Sequence, residues 1–195
     1  DSILKGSAGQ YMATRSVIRA LARTRPSASV AFALQLNTLV RRDLALLDFL
    51  EEFIRQKPAQ LDASTIFSTV RLMGKGWLRN NAVAMIAEYL AQNSPLAPDT
   101  VISYLPLLAL LEEMDLLSEK CDAYSHFYLA IGGESTAHSA QRDHIIERLT
   151  SSWQCIDVGW KKVDIGFKIS STLAKSGVTR ARAFLTSTED LRVDL

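Results

Sequence analysis

Residues able to do chemistry are thinly spread along this chain of 195 residues. Its histidines are His126, His138 and His144. His138 and His144 stand six residues apart, whereas two helical ligands sharing a metal ion need an i, i+4 spacing. His126 lies near Cys121, and a two-ligand cluster at that spacing is a weak metal signal. Paired carboxylates occur at Glu51-Glu52, Glu112-Glu113 and Glu189-Asp190. They have the residue types of a general acid–base pair, but each falls on a polar helix face or at a helix start. Serine is frequent, yet no GxSxG elbow orders a Ser, a His and an Asp together. Gly132-Gly133 and Lys175-Ser176-Gly177 lack the glycine spacing and strand-to-helix context of a phosphate loop and read as turns. The expectation is a non-catalytic protein with no metal site, no cofactor and no small-molecule substrate.

The basic residues carry more information. Residues 1–42 hold seven Lys or Arg and one acid, Asp1; residues 43–135 hold six bases and thirteen acids. Residues 136–195 hold nine bases and seven acids, so a net charge of +1 hides basic ends around an acidic middle. Such segregation points to an anionic partner at the ends, or to a dipolar arrangement that serves assembly with protein neighbours. Arg15, Arg19 and Arg23 follow at i, i+4 and i+8 in ATRSVIRALARTR, on one face of an amphipathic helix. Arg41-Arg42 and Lys161-Lys162 add two further basic pairs. Trp153, Trp160 and Phe167 are interleaved with Lys161, Lys162, Lys168, Lys175, Arg180 and Arg182. That mixture suits RNA, because cations neutralise phosphate and rings stack on unpaired bases. It equally suits a terminal helical cap whose aromatics lie in the core. The expected RNA-contacting residues are Arg15, Arg19, Arg23, Arg41, Arg42, Lys161 and Lys162. The other reading is a solvated arginine face and a pure protein scaffold.

These residues must be positioned by helices. Hydrophobic residues make up 48% of the chain, Gly and Pro are few, and alternating β-branched runs are scarce. The fold class expected is all-α, built of stacked antiparallel helix pairs in the manner of an α-solenoid. The clearest sign is internal similarity across residues 61–131. Aligning Leu61 with Leu96 matches Ile66 to Val101, Phe67 to Ile102, Val70 to Leu105 and Leu72 to Leu107. After two or three extra residues, Leu78 meets Leu116 or Leu117, and Tyr89-Leu90 meets Tyr128-Leu129. A spacing of roughly 34–47 residues marks stacked helical hairpins. A fainter third copy covers residues 27–60, with a break expected at Arg41-Arg42-Asp43. Asp48, Glu51, Glu52 and Arg55 are expected on its solvent face.

Caps are expected at Ser27 or Ser29, at Asp62 or Ser64, and at Asp99. Gly74 and Gly76 should end the first repeat helix, and Pro106 should bend the apolar run 101–111. That run, the most apolar in the chain, is too short to span a membrane. It is an expected surface for neighbouring subunits. Residues 153–170 fit a helix, with partial alternation leaving a strand open, and Ser187 could open a short last helix. The resulting division is a basic N-terminal arm at 1–26, helical-hairpin repeats at 27–135 and a helical capping region at 136–195. Cys121 and Cys155 form no CxxC pair and fit buried thiols in a reducing compartment.

The paired helices opening on LDAST and LAPDT, continuing as IFSTVRLMGKG or VISYLPLLALLEEM into a second amphipathic helix, resemble the repeats of FAST-kinase-like and RAP-type organellar proteins. The resemblance covers about half the chain, with no kinase or RAP segment at the C-terminus. It implies a mitochondrial or plastid location and a role in organellar RNA, either binding transcripts or sitting in the ribosome. The acid-poor residues 2–42 agree with import into a mitochondrion. A chain that starts without Met is expected to be a processed product or a shortened form. The function expected is a helical-repeat subunit of a mitochondrial ribonucleoprotein, most simply a ribosomal accessory protein. It would contact rRNA through its basic ends and neighbouring proteins through its repeats. The acidic middle departs from a continuous RNA groove and directs RNA contact to the ends.

Overall fold

The computed structural model describes residues 2–56, 62–94, 96–132, 138–157 and 159–176, together with Ala181, Phe184 and Thr186; side chains are described from residue 9 onward, except that of Ser176. Among these residues every regular element is helical, as the composition predicts. The chain divides into two compact units, Asp1–Ala82 and Val83–Leu195.

The first unit contains α1 (Ser2–Thr24), α2 (Pro26–Leu34), α3 (Leu39–Arg55), α4 (Ala63–Leu72) and the start of α5 (Trp77–Gln92). Its helices α1, α2 and α3 pack on one another in all three pairings, and α4 lies against α3. Pro26 separates α1 from α2 because its ring blocks a continuous helix and is tolerated at the first helical position. Neither Ser27 nor Ser29 caps α2: the capping position is Arg25, with no side-chain bond. Ser29 is instead buried, its hydroxyl donating to the Ile18 carbonyl at 2.9 Å. The following break lies at residues 35–38, not at Arg41-Arg42-Asp43, because the Thr38 hydroxyl accepts the Arg41 N–H and starts α3 there.

Leu46, Phe49 and Leu50 of α3 are fully buried; each contributes roughly 1.5–3 kcal/mol by leaving water. The expectation of a solvent-facing row of acids on this helix is corrected. Asp48 and Glu52 are buried, at 5% and 3% exposure, and Glu51 is half-buried; Arg55 is exposed. Their face is covered by α1. Asp62 caps α4 as expected, accepting from the Ser64 N–H at 3.0 Å and the Thr65 hydroxyl at 2.5 Å. These bonds hold its carboxyl below the ordinary range. Gly76 takes φ +145°, a backbone conformation open to glycine, just before α5.

The second unit holds most of α5, then α6 (Pro98–Tyr104), α7 (Leu107–Glu112), α8 (Leu117–Ala130), α9 (Ser139–Gln154) and α10 (Gly159–Ser176). Here α8, α9 and α10 pack on one another and α7 lies against α8. Asp99 is not the cap of α6. Ala97 holds that place and Pro98 takes the first helical position, leaving Asp99 in the first turn, where its charge meets the helix dipole. Pro106 does more than bend the apolar run, since α6 stops at Tyr104 and α7 restarts at Leu107. Burial tracks the internal sequence match at Ile66 and Val101, both fully buried. It diverges at Phe67 and Ile102, and at Leu72 and Leu107, where one partner is buried and the other exposed. Residues 159–176 form α10, which resolves the choice between strand and helix. The Leu61 anchor of the repeat and the start expected at Ser187 lie outside the described residues.

Candidate functional site

The arginines of α1 form a built electrostatic cluster within the first unit. Arg15 Nε donates to Asp48 Oδ1 at 2.6 Å, and Arg19 reaches the same oxygen at 3.3 Å and Glu51 Oε2 at 2.5 Å. Arg23 Nε donates to Glu52 Oε1 at 2.8 Å. Three arginines spaced by four along α1 therefore meet three carboxylates on the facing side of α3. The hydrogen bond from Arg23 holds the Glu52 carboxyl below the ordinary range against the opposing effect of burial. The bond to Asp48 likewise raises Arg15. Coulomb attraction is strongest where water is partly excluded, and here it fastens α1 to α3.

The other expected RNA-contacting residues are placed differently. Arg41 is exposed near the start of α3, and Arg42 is half-buried with Nε 3.7 Å from Asp43 Oδ1. Arg15 and Arg41 line one cleft of about 270 Å³ with Tyr11, Gln35, Asn37 and Asp48. Lys162 is engaged locally: its ammonium donates to the Gln154 carbonyl at 2.7 Å and lies 5.3 Å from the Trp153 ring centre. Lys161 is exposed, 5.6 Å from the centre of the Trp160 ring. Arg180 and Arg182 fall outside the described residues.

The aromatics divide between core and surface. Trp153 is buried, its indole N–H donating to the Lys162 carbonyl at 2.8 Å and its ring meeting Phe184 edge-on. Gly166 makes this packing possible, because a Cβ there would stand 3.1 Å from Trp153 Nε1. The inner face of α10 is completed by the buried residues Ile165, Ile169 and Leu173. Its outer face carries Trp160, Val163 and Phe167, exposed by 71%, 62% and 76%. Their spacing of i, i+3 and i+7 aligns them on one side of the helix. A run of large apolar side chains left in water on one helix is the signature of a contact surface. Beside it a shallow groove of about 300 Å³ opens between α8 and α10, lined by Glu119 and Asp122 on one side and by Lys161, Asp164 and Lys168 on the other.

Sequence reasoning had Trp160, Phe167 and the lysines in view as RNA ligands or core, and it missed Val163 as their neighbour on a surface. The signal was there in two interleaved helical stripes, 165/169/173 and 160/163/167. Only packing says which stripe is inward. The run 101–111 lies the other way round, with Val101, Leu107, Leu110 and Leu111 buried. His144 Nε2 lies 3.6 Å from Glu112 Oε1, which also accepts from Arg148 at 2.9 Å. Among the described residues no group of three His, Cys, Asp or Glu could hold a metal ion, and no helix is long and apolar enough to cross a membrane.

Compared with family models, with curated proteins and with solved structures, the sequence finds no significant match. Fold and site together therefore define no more than a class, an all-helical protein with an exposed apolar helix face.

Proposed function

We propose that this chain is a non-catalytic helical subunit of a larger assembly, and that α10 holds a neighbouring protein. The observation that carries the reading is the outer face of α10, where Trp160, Val163 and Phe167 stand in water on one side of a helix. Aromatic anchors of this kind dominate protein interfaces, because a large rigid surface leaves water at little entropic cost. The internal match across residues 61–131 supports reading the middle helices as stacked pairs of solenoid type, a scaffold suited to several neighbours at once. Resemblance to organellar repeat proteins adds that the assembly is a mitochondrial ribonucleoprotein. The test is co-purification of the full chain with its native neighbours, comparing wild type with Phe167→Asp. Loss of a stoichiometric protein neighbour is expected; an unchanged set of neighbours overturns the role given to α10.

A second reading, RNA contact by the basic ends, draws on Arg41 and Lys161, both exposed, and on the ring of Trp160 beside Lys161. It requires affinity for RNA that falls steeply with salt. Binding of RNA that is unchanged between low and high salt counts against it, as does the absence of binding.

A further inference from the structure

On the reading that α10 docks a protein, the geometry points to the kind of partner: we infer that α10 seats an amphipathic helix whose apolar stripe lies along Trp160, Val163 and Phe167 and whose acidic edge lies along Lys161, Lys168 and Lys175. The three apolar residues occupy the positions by which one helix seats another, i, i+3 and i+7, and Ala174 continues the row a further seven residues on, also exposed. Lys161, Lys168 and Lys175 repeat at the same interval of seven, each one position after Trp160, Phe167 and Ala174. All three are exposed. They form a basic rail alongside the apolar stripe, about 21 Å from end to end at the helical rise. A partner of four turns or so spans it.

Charge decides between this partner and two others that aromatic and basic residues could attract. A single-stranded RNA or an anionic lipid surface presents negative charge continuously. The groove beside the rail carries Glu119 and Asp122 of α8 and Asp164 of α10, which repel a continuous polyanion. Asp164 also takes Lys168 into an ion pair of 3.2 Å. A helix with carboxylates at discrete intervals can place them opposite Lys161 and Lys175, clear of the Asp164–Lys168 ion pair, so discrete complementarity selects it.

The experiment uses the full chain and a set of labelled 21-residue helical peptides with one common apolar stripe and acidic, neutral or basic residues along its edge. Fluorescence anisotropy reads binding, with a uridine-rich oligonucleotide and vesicles containing anionic lipid as the other arms. The acidic-edged peptide is expected to bind at least tenfold more tightly than the basic-edged one. Phe167→Asp and Trp160→Ala should each abolish its binding, and reversing Lys161, Lys168 and Lys175 to Glu should transfer preference to the basic-edged peptide. These side chains are exposed, so the variants keep the wild-type circular dichroism. Equal affinity for the three peptides overturns the inference, and so does tighter binding of the oligonucleotide or the vesicles. If Phe167→Asp loses its native neighbour while the peptides bind alike, the partner chemistry is wrong and the docking face stands. If the native neighbours are retained, the docking role itself has failed.

Discussion

Replacing Asp48 with alanine isolates what holds α1 to α3. The Asp48 side chain is 6% exposed and its Oδ1 accepts from Arg15 at 2.6 Å and from Arg19 at 3.3 Å. Charge-assisted hydrogen bonds contribute roughly 1.5–3 kcal/mol each. Arg15 and Arg19 are both partly open to water, so screening reduces that figure by about half. Arg19 also keeps its bond to Glu51 at 2.5 Å after the substitution. Relief of the carboxylate's own desolvation offsets part of the loss. The net expectation is a destabilisation of the first unit by about 2 kcal/mol. Glu51→Ala, at a half-exposed carboxylate, should cost about 1 kcal/mol or less and lose even that at high salt. Urea denaturation followed by circular dichroism measures both. A double-mutant cycle of Asp48→Ala with Arg15→Met should return a coupling of about 1 kcal/mol. An Asp48→Ala variant within about 0.5 kcal/mol of wild type, the range of ordinary surface substitutions, refutes the reasoning and leaves the α1 arginines available to another partner.

Three further outcomes follow from the same structure. The Glu52 carboxyl is held low by Arg23, so its contribution to stability is present above the ordinary carboxylate range and is lost as pH falls through the depressed value; Glu52→Gln should flatten that acid limb of a pH–stability curve. Gly166→Val should destabilise the second unit by about 1–3 kcal/mol through overpacking. The added Cβ would stand 3.1–3.4 Å from ring atoms of Trp153, and the shift in buried tryptophan emission reads the change. Cys155 is exposed, whereas Cys121 is fully buried with its thiol pushed up to about 12. A thiol reagent at neutral pH should therefore label Cys155 promptly and Cys121 only on unfolding, seen as one equivalent rising to two.

The helices are legible in the local pattern of residues. Their apolar periodicity, the Asp62 cap, the Pro26 break and the left-handed Gly76 in the turn before α5 are local features, and local hydrogen bonding and backbone sterics decide them, whereas α4 itself ends at Leu72, ahead of both glycines. Even α10, where alternation competed with helical spacing, carries a full set of inward residues in Ile165, Ile169 and Leu173. Tertiary structure decided what those helices do with their polar and apolar faces. Arg15, Arg19 and Arg23 read the same in sequence whether they meet phosphate, water or carboxylates, because a helix face has no knowledge of its neighbour. Packing α1 on α3 set Asp48 and Glu52 opposite them. The same holds for α10, which bears two apolar stripes of similar strength. The small Gly166 and the ring of Trp153 turn one stripe inward, and Trp160, Val163 and Phe167 are left facing water as a consequence of packing made elsewhere in the chain.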